Sequence, residues 1–552
     1  MTLRRSARAA SVKPASKAEP TPLEKAASNR SNKSSASKKR PAPQERAVSP
    51  VPKRSRTTTA QKPENDPPTQ APRSSRKPTS KKAAQSVQKE TNAKLASITE
   101  TPVPQQRPYF NPLPVPPEAK RPGLQLFVWG AGNFGQFGMG PDDLDQHNKP
   151  KRNIWIEKQM EEGTFGEVGS GLESVAAGGL HTLFIDEKGT VWTCGTNDDA
   201  ALGRITQDVP DPKNPGSFLD VDELTSVPYP LISLVDENFR AVQVATGDCI
   251  CAAVSIHGDL RVWGSFRANE GSLGFSNGLK HQFLPTPILE LSHRPGDVEK
   301  VSAIAAGTNH LLVLTTHGNV LTWGAGEQAQ LGRKVLERRK IHGTVPEKIT
   351  LGNRGRKAVR VGAGSWHSFA VDDEGDVWGW GLNSMGQTGT GYESAGDAVV
   401  QLPTKVKRLS KEELGGDTVE QIVGGDHHTL FLTASGKVYA CGRSNAGQLG
   451  LADDDPAFED CMHSEFLPEP TLVTFPDMED PVIQVSSGSH NNLAVTQAGA
   501  LYCWGQGIQG ELGVSDEEVK TPRIVVRKEG GSWAAVSVSC GGQHTLGLFR
   551  KK

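Results

Sequence analysis

Seven times between Leu126 and Phe549 the chain repeats the same pair of short segments, and that period governs what it can fold into. One segment carries an aromatic residue, clustered glycines and a distal glycine, as in VWGAGNFGQFG (Val128–Gly138), LTWGAGEQAQLG (Leu321–Gly332) and LYCWGQGIQGELG (Leu501–Gly513). The other has the form small-small-Gly-x-x-His before an apolar run, as in AAGGLHTLFI around Gly178 and SCGGQHTLGL around Gly541. Successive glycines of this second segment lie 69, 60, 57, 61, 63 and 53 residues apart. Internal periods of this size mark arrays whose units cannot bury an apolar face alone.

Within each unit, runs of four to six β-branched and aromatic residues alternate with Gly, Asn, Asp and Pro, the pattern of strands and tight turns. A unit of roughly 60 residues with about four strands is one propeller blade, and seven blades close a ring. The repeated part opens on an aromatic segment without its glycine-histidine partner and finishes on a glycine-histidine segment without its aromatic one. Joining the two completes a blade and removes open sheet edges. The expected fold is therefore all-β, a seven-bladed β-propeller spanning residues 123–552 and closed by an N- and C-terminal clasp.

Residues 1–122 are different material. They contain none of the 59 glycines, none of the tryptophans or cysteines, and 20 of the 38 prolines. With 26 Lys and Arg against 8 Asp and Glu they carry +18, so the neutral total hides a body of −18. Such a segment cannot bury enough apolar surface to offset its chain entropy and is expected to be a disordered basic tail. Its charge favours DNA phosphates through counterion release. Lys38, Lys39 and Arg40, then Lys53, Arg54 and Arg56 twelve residues beyond the first cluster, have the layout of a bipartite nuclear-import signal. Ser49-Pro50 between them offers a phosphorylation site that would add negative charge beside that signal.

Several function classes are disfavoured. No apolar run approaches the ~18 residues of a membrane helix, and no secretory leader opens the chain. Seven cysteines without a CxxC pair suit a reducing compartment rather than a disulfide framework. No nucleophile elbow, phosphate-binding loop, HExxH or metal-spaced set occurs, so a binding protein without catalytic residue, metal or cofactor is expected. The histidines that recur in the repeat (His181, His310, His367, His428, His544) read as scaffold satisfying nearby backbone, with Ile250 and Asn491 in their place in two units.

Departures from the repeat are the candidates for recognition. The two positions between glycine and histidine vary freely and include Asp248, Asn309 and His427. In the third aromatic segment the usual Gly-x-Gly is replaced by a polar insertion, Gly264-Ser265-Phe266-Arg267-Ala268-Asn269-Glu270-Gly271, expected to be a hairpin with Arg267 exposed. A basic loop, Arg333, Lys334, Arg338, Arg339 and Lys340, stands out within the acidic body.

The GSFRxxxGxxG string at Gly264–Gly274, set within seven copies of both segments, resembles the regulator of chromosome condensation family, the chromatin-bound guanine-nucleotide exchange factors of the Ran GTPase. The resemblance covers about residues 124–549. It implies that Ser265, Phe266, Arg267 and Asn269 form a wedge against the GTPase, with Asn133, Asp248, Asn309, Arg333, His427 and His544 also facing it. Asn133 and Asn309 stand where relatives commonly carry acidic residues. It implies further that Arg338, Arg339 and Lys340 touch the histone acidic patch of the nucleosome, that the tail contacts DNA and an import receptor, and that the protein resides on chromatin in the nucleus, supporting nucleocytoplasmic transport and mitosis. The rivals are a chromatin-bound propeller scaffold without exchange activity, and a propeller hydrolase or lectin.

Overall fold

A computed structural model describes residues 106–552 apart from Arg354, Asp460 and Ser464. Lys38, Lys39, Arg40, Ser49, Lys53, Arg54 and Arg56 therefore lie outside the described residues. The described chain is an all-β propeller with a few short helices. Among the described residues its sheets are five of four antiparallel strands, one of eight and two small two-stranded ones. The eight-stranded sheet divides into two four-stranded halves, which a lone parallel bridge from Ala363 to Val423 joins. In one sheet Gln125–Gly130 lies between His147–Arg152 and His544–Lys551, in register from Gln125 opposite Phe549 to Gly130 opposite His544.

The second strand of each unit, His181–Asp186 for example, is buried at its first six positions. Such strands are covered on both faces and lose the polar alternation of a half-exposed sheet. Trp129, Trp263, Trp323, Trp380 and Trp504 are fully buried where neighbouring sheets meet.

Most seams between sheets follow one polar rule. His310 Nε2 lies 2.7 Å from Ser368 Oγ in the next sheet, and that hydroxyl donates to Gln330 O at 2.8 Å. Trp380 Nε1 donates to the same carbonyl at 2.9 Å. His367 repeats the relay through Thr429 to Gln387 O, and His544 through Thr182 to Gln136 O. Because the hydroxyl proton is committed to the carbonyl, the imidazole donates from Nε2. The histidines are scaffold, as the repeat suggested, but their partners are side chains of the adjacent sheet rather than nearby backbone. A Cβ on Gly364 would collide with the His367 ring, which explains the glycine three residues before the histidine.

Two features depart from the sequence reading. Residues 106–122, assigned there to the tail, run along the sheets at the ends away from the Gly-x-x-His turns. Asn111, 5% exposed, donates to Thr315 O (3.0 Å) and Ala358 O (2.9 Å), and Ser302 donates to Pro112 O. Prolines restrict the unfolded chain, so this strap orders with few contacts, and composition alone disguises it as tail. The second departure is a helix, Ile154–Glu162, started by Asn153 accepting from Ile156 N and stopped by Gly163 in a left-handed conformation (φ 72°).

Candidate protein-interaction face

The Gly-x-x-His turns gather at one end of the sheets around a central opening of about 370 Å³. Backbone bonds link neighbouring turns there: Asp248 N to Thr308 O, Thr308 N to Ser365 O, Ser365 N to Gly425 O, Asp426 N to Ser489 O and Gly542 N to Gly178 O. Rigid elements thus fix the variable positions of the turns, which suits a recognition surface.

On this rim stands the polar insertion, folded as a two-stranded hairpin with Arg267 opposite Ser272 and Ala268 opposite Gly271. Its root explains its place. At the seam beneath it Ile250 replaces the histidine and Leu311 replaces the hydroxyl, so the polar relay is missing. Phe266 fills that seam, fully buried beside Ile250, Phe275, Leu311 and Trp323. Trp323 Nε1 has no hydrogen-bond partner among the described residues. The carbonyl matching the tryptophan acceptors elsewhere belongs to Ser272, now part of the hairpin. The wedge is therefore inserted at the apolar seam.

Polar contacts then orient the tip. Ser265 Oγ donates to Lys280 O (2.7 Å), Arg267 N donates to Asn309 Oδ1 (2.9 Å) and Asn269 N donates to Glu327 Oε2 (2.9 Å). The exposed Arg267 guanidinium lies 3.3 Å from Asp248 and 3.6 Å from Asp199. Carboxylates on two sides hold it upright at the rim.

Several expected contact residues are placed differently. Ser265 and Phe266 are fully buried and serve as the hairpin's root. His544 is fully buried in the Thr182 relay and cannot meet a partner; its place in the scaffold repeat accounts for this. Asn309, 5% exposed, positions Arg267 instead of presenting itself. The Arg333 side chain is 13% exposed and donates to Gly343 O and Val345 O, bracing the basic loop from within. Lys340, its side chain 28% exposed, pairs with Glu270 and Glu327. Lys334, Arg338 and Arg339 remain exposed.

The surface that is left comprises Arg267, Asn269, Asp248, Asn133 and half-buried His427. Burial lowers the His427 pKa while Asp426 opposes the shift, and Gln387 Nε2 lies 3.3 Å from its Nδ1. Asn133 lies on the wall of a groove of about 770 Å³ that Phe134, Asp199, His281 and Phe283 also line. Sequence reasoning missed Asp199, His281 and Glu327; Asp199 belongs to an acidic pair, Asp198-Asp199, that is visible in the sequence. The cysteines offer no accessible thiolate here: Cys249 is buried and its thiol is pushed up to about 12.

Comparison with known proteins agrees with this architecture. Residues 125–547 match the model of the RCC1-like domain. The chain is 33% identical over 448 residues to the regulator of chromosome condensation of Xenopus laevis, covering 78% of this chain and 91% of that protein. It is 31% identical over 445 residues to the guanine nucleotide exchange factor SRM1 of Saccharomyces cerevisiae, covering 77% and 86%. Among solved structures, Prp20p of Saccharomyces cerevisiae, described with its binding properties to Gsp1p and histones, superposes with a TM-score of 0.66 at 28% identity, over 80% of this chain and 93% of that one.

Proposed function

The chain belongs to the regulator of chromosome condensation family, and on that premise we propose that it is a guanine-nucleotide exchange factor for the Ran GTPase that works while bound to chromatin in the nucleus. The observation that carries this reading is the Arg267–Ser272 hairpin, a polar tip on a buried aromatic root at the one seam where Ile250 and Leu311 replace the relay. We read the scaffold beneath it as a ring of seven blades, closed where Gln125–Gly130 pairs with His544–Lys551.

No covalent bond needs to break for this activity. A protein that binds the empty GTPase more tightly than the loaded one weakens nucleotide binding by the same factor, by linkage. Arg267 and Asn269, held by Asn309, Asp248, Asp199 and Glu327, supply a preformed surface that meets the GTPase only when its nucleotide site opens. Preformation matters because ordering a loop on binding costs affinity. Asn133, Asp248 and His427 extend the same surface, and the body's net −18 steers a basic partner face toward it. On the chromatin side Arg338 and Arg339 would face the histone acidic patch, and the basic tail would hold DNA and an import receptor. A related protein's described histone binding supports this side of the reading.

Release of labelled GDP from purified Ran tests the first half. Wild type should accelerate it, and Arg267→Ala should lower kcat/KM on the order of tenfold, as truncation of an interface arginine does. A wild type without effect would leave a chromatin-bound scaffold. For the second half, Arg338→Ala with Arg339→Ala should weaken nucleosome binding about tenfold and flatten its salt dependence. Unchanged affinity would make the loop a solvated surface.

A further inference from the structure

The hairpin and the basic loop are separate in sequence and in proposed role, yet they meet. Lys340 Nζ pairs with Glu270 at the hairpin tip and lies 3.7 Å from Glu327 Oε1. The other Glu327 oxygen accepts from Asn269 N at 2.9 Å. Oxygens of Glu270, Glu327 and Glu337 all come within 4.8 Å of one another. Glu327 is the fixed point, its side chain 7% exposed against 67% for Glu270.

Three carboxylates this close repel, and the Lys340 ammonium, paired with two of them, turns repulsion into a tie. We infer that Lys340 is a positioning residue for the exchange hairpin, and that the hairpin competes for its single ammonium with the anionic surface the basic loop binds. The inference rests on the exchange-factor reading, since only that gives the hairpin a measurable task. Glu270 is the lever. While it holds Lys340 the hairpin is preformed and the loop presents Lys334, Arg338 and Arg339 without Lys340. When Glu270 loses its charge, Lys340 is freer to reach an outside carboxylate and the hairpin tip loses its lateral support.

Opposite effects on the two activities follow. Glu270→Gln should lower kcat/KM for GDP release from Ran and raise affinity for nucleosome core particles, each by roughly two- to fivefold, the scale of a partly exposed ion pair. Lys340→Gln should lower exchange and leave nucleosome affinity at or below that of wild type, because it removes the cation for which hairpin and loop compete and leaves three carboxylates facing one another. Lys340→Arg should restore most of the exchange rate. The double variant should exchange no more slowly than Lys340→Gln alone, since both substitutions break one interaction. Thermal midpoints of all four should stay within a few degrees of wild type, separating positioning from lost folding. Exchange and nucleosome binding that move in the same direction in Glu270→Gln, or neither moving, would overturn the inference. Wild type that fails to release GDP from Ran would instead overturn the exchange-factor reading on which it stands.

Discussion

Lowering the pH from 7 to 5 should remove several kcal/mol of folding stability, a large share of what an ordinary domain has. The cause is the five fully buried relay histidines. Burial lowers His181 and His428 to about 4, His310 and His544 to about 3, and His367 well below its ordinary value. Geometry gives the same result: Nε2 already donates to the adjoining sheet, and Nδ1 of His310, His367 and His544 has no partner among the described residues, so a second proton would sit buried and unpaired. The unfolded chain takes up protons below about 6.5 while the folded ring does not, so stability is present above that pH and is lost as pH falls. Each histidine loses about 2 kcal/mol between pH 7 and 5 on this basis. Glu173, Asp186 and Glu511, raised by burial, gain protons earlier in the folded state and offset part of the loss at the acid end. Urea midpoints at pH 7.5, 6.5, 5.5 and 5 check the slope. His310→Asn, which copies the residue found at Asn491, should flatten it by about one fifth. A midpoint constant down to pH 5 would mean that the ring accommodates imidazolium.

Phe266→Ala should cost about 3–5 kcal/mol, as deletion of a fully buried aromatic ring does. Nothing nearby can collapse into the space easily, because Ile250, Leu311 and Trp323 lie on rigid strands and no polar relay crosses that seam. The same change should abolish measurable exchange, since the wedge would lose its root while Arg267 remained present. Phe266→Leu should recover more than half of the stability. Calorimetry beside the GDP-release assay separates the cases: Arg267→Ala lowers exchange at an unchanged melting temperature, whereas Phe266→Ala lowers both. A Phe266→Ala protein that melts with wild type would show that the hairpin stands without its anchor.

The all-β blade pattern was legible because each unit restates it: glycines at constant offsets, a histidine three residues on, then an apolar run. The partners of those histidines were not, because they lie in the neighbouring unit, 58 to 70 residues on for four of them and 362 residues back for His544. A signal was nonetheless present. The residue after the histidine position is Thr182, Cys251, Ser368, Thr429, Asn492 or Thr545 in six units and Leu311 in the other, and that exception falls beside Ile250 and the inserted hairpin. Reading the two columns together would have placed Phe266 in the core instead of on the contact surface. Lys340 was beyond reach for a different reason. Its charge suggested an anionic partner, but Glu270 stands 70 residues earlier and only the fold brings it alongside. The strap at 106–122 was misassigned because proline content marks a disordered tail and an ordered extended segment alike.

Pairing of Gln125–Gly130 with His544–Lys551 has a consequence for synthesis. At ~5–20 residues per second a ribosome needs roughly 20–80 seconds to travel from one strand to the other. Throughout that interval the nascent chain carries Leu126, Val128 and Trp129 on a strand whose inner neighbour has not yet been made. That pairing is therefore a late event in biogenesis, and one apolar strand edge stays unpaired until its partner strand emerges.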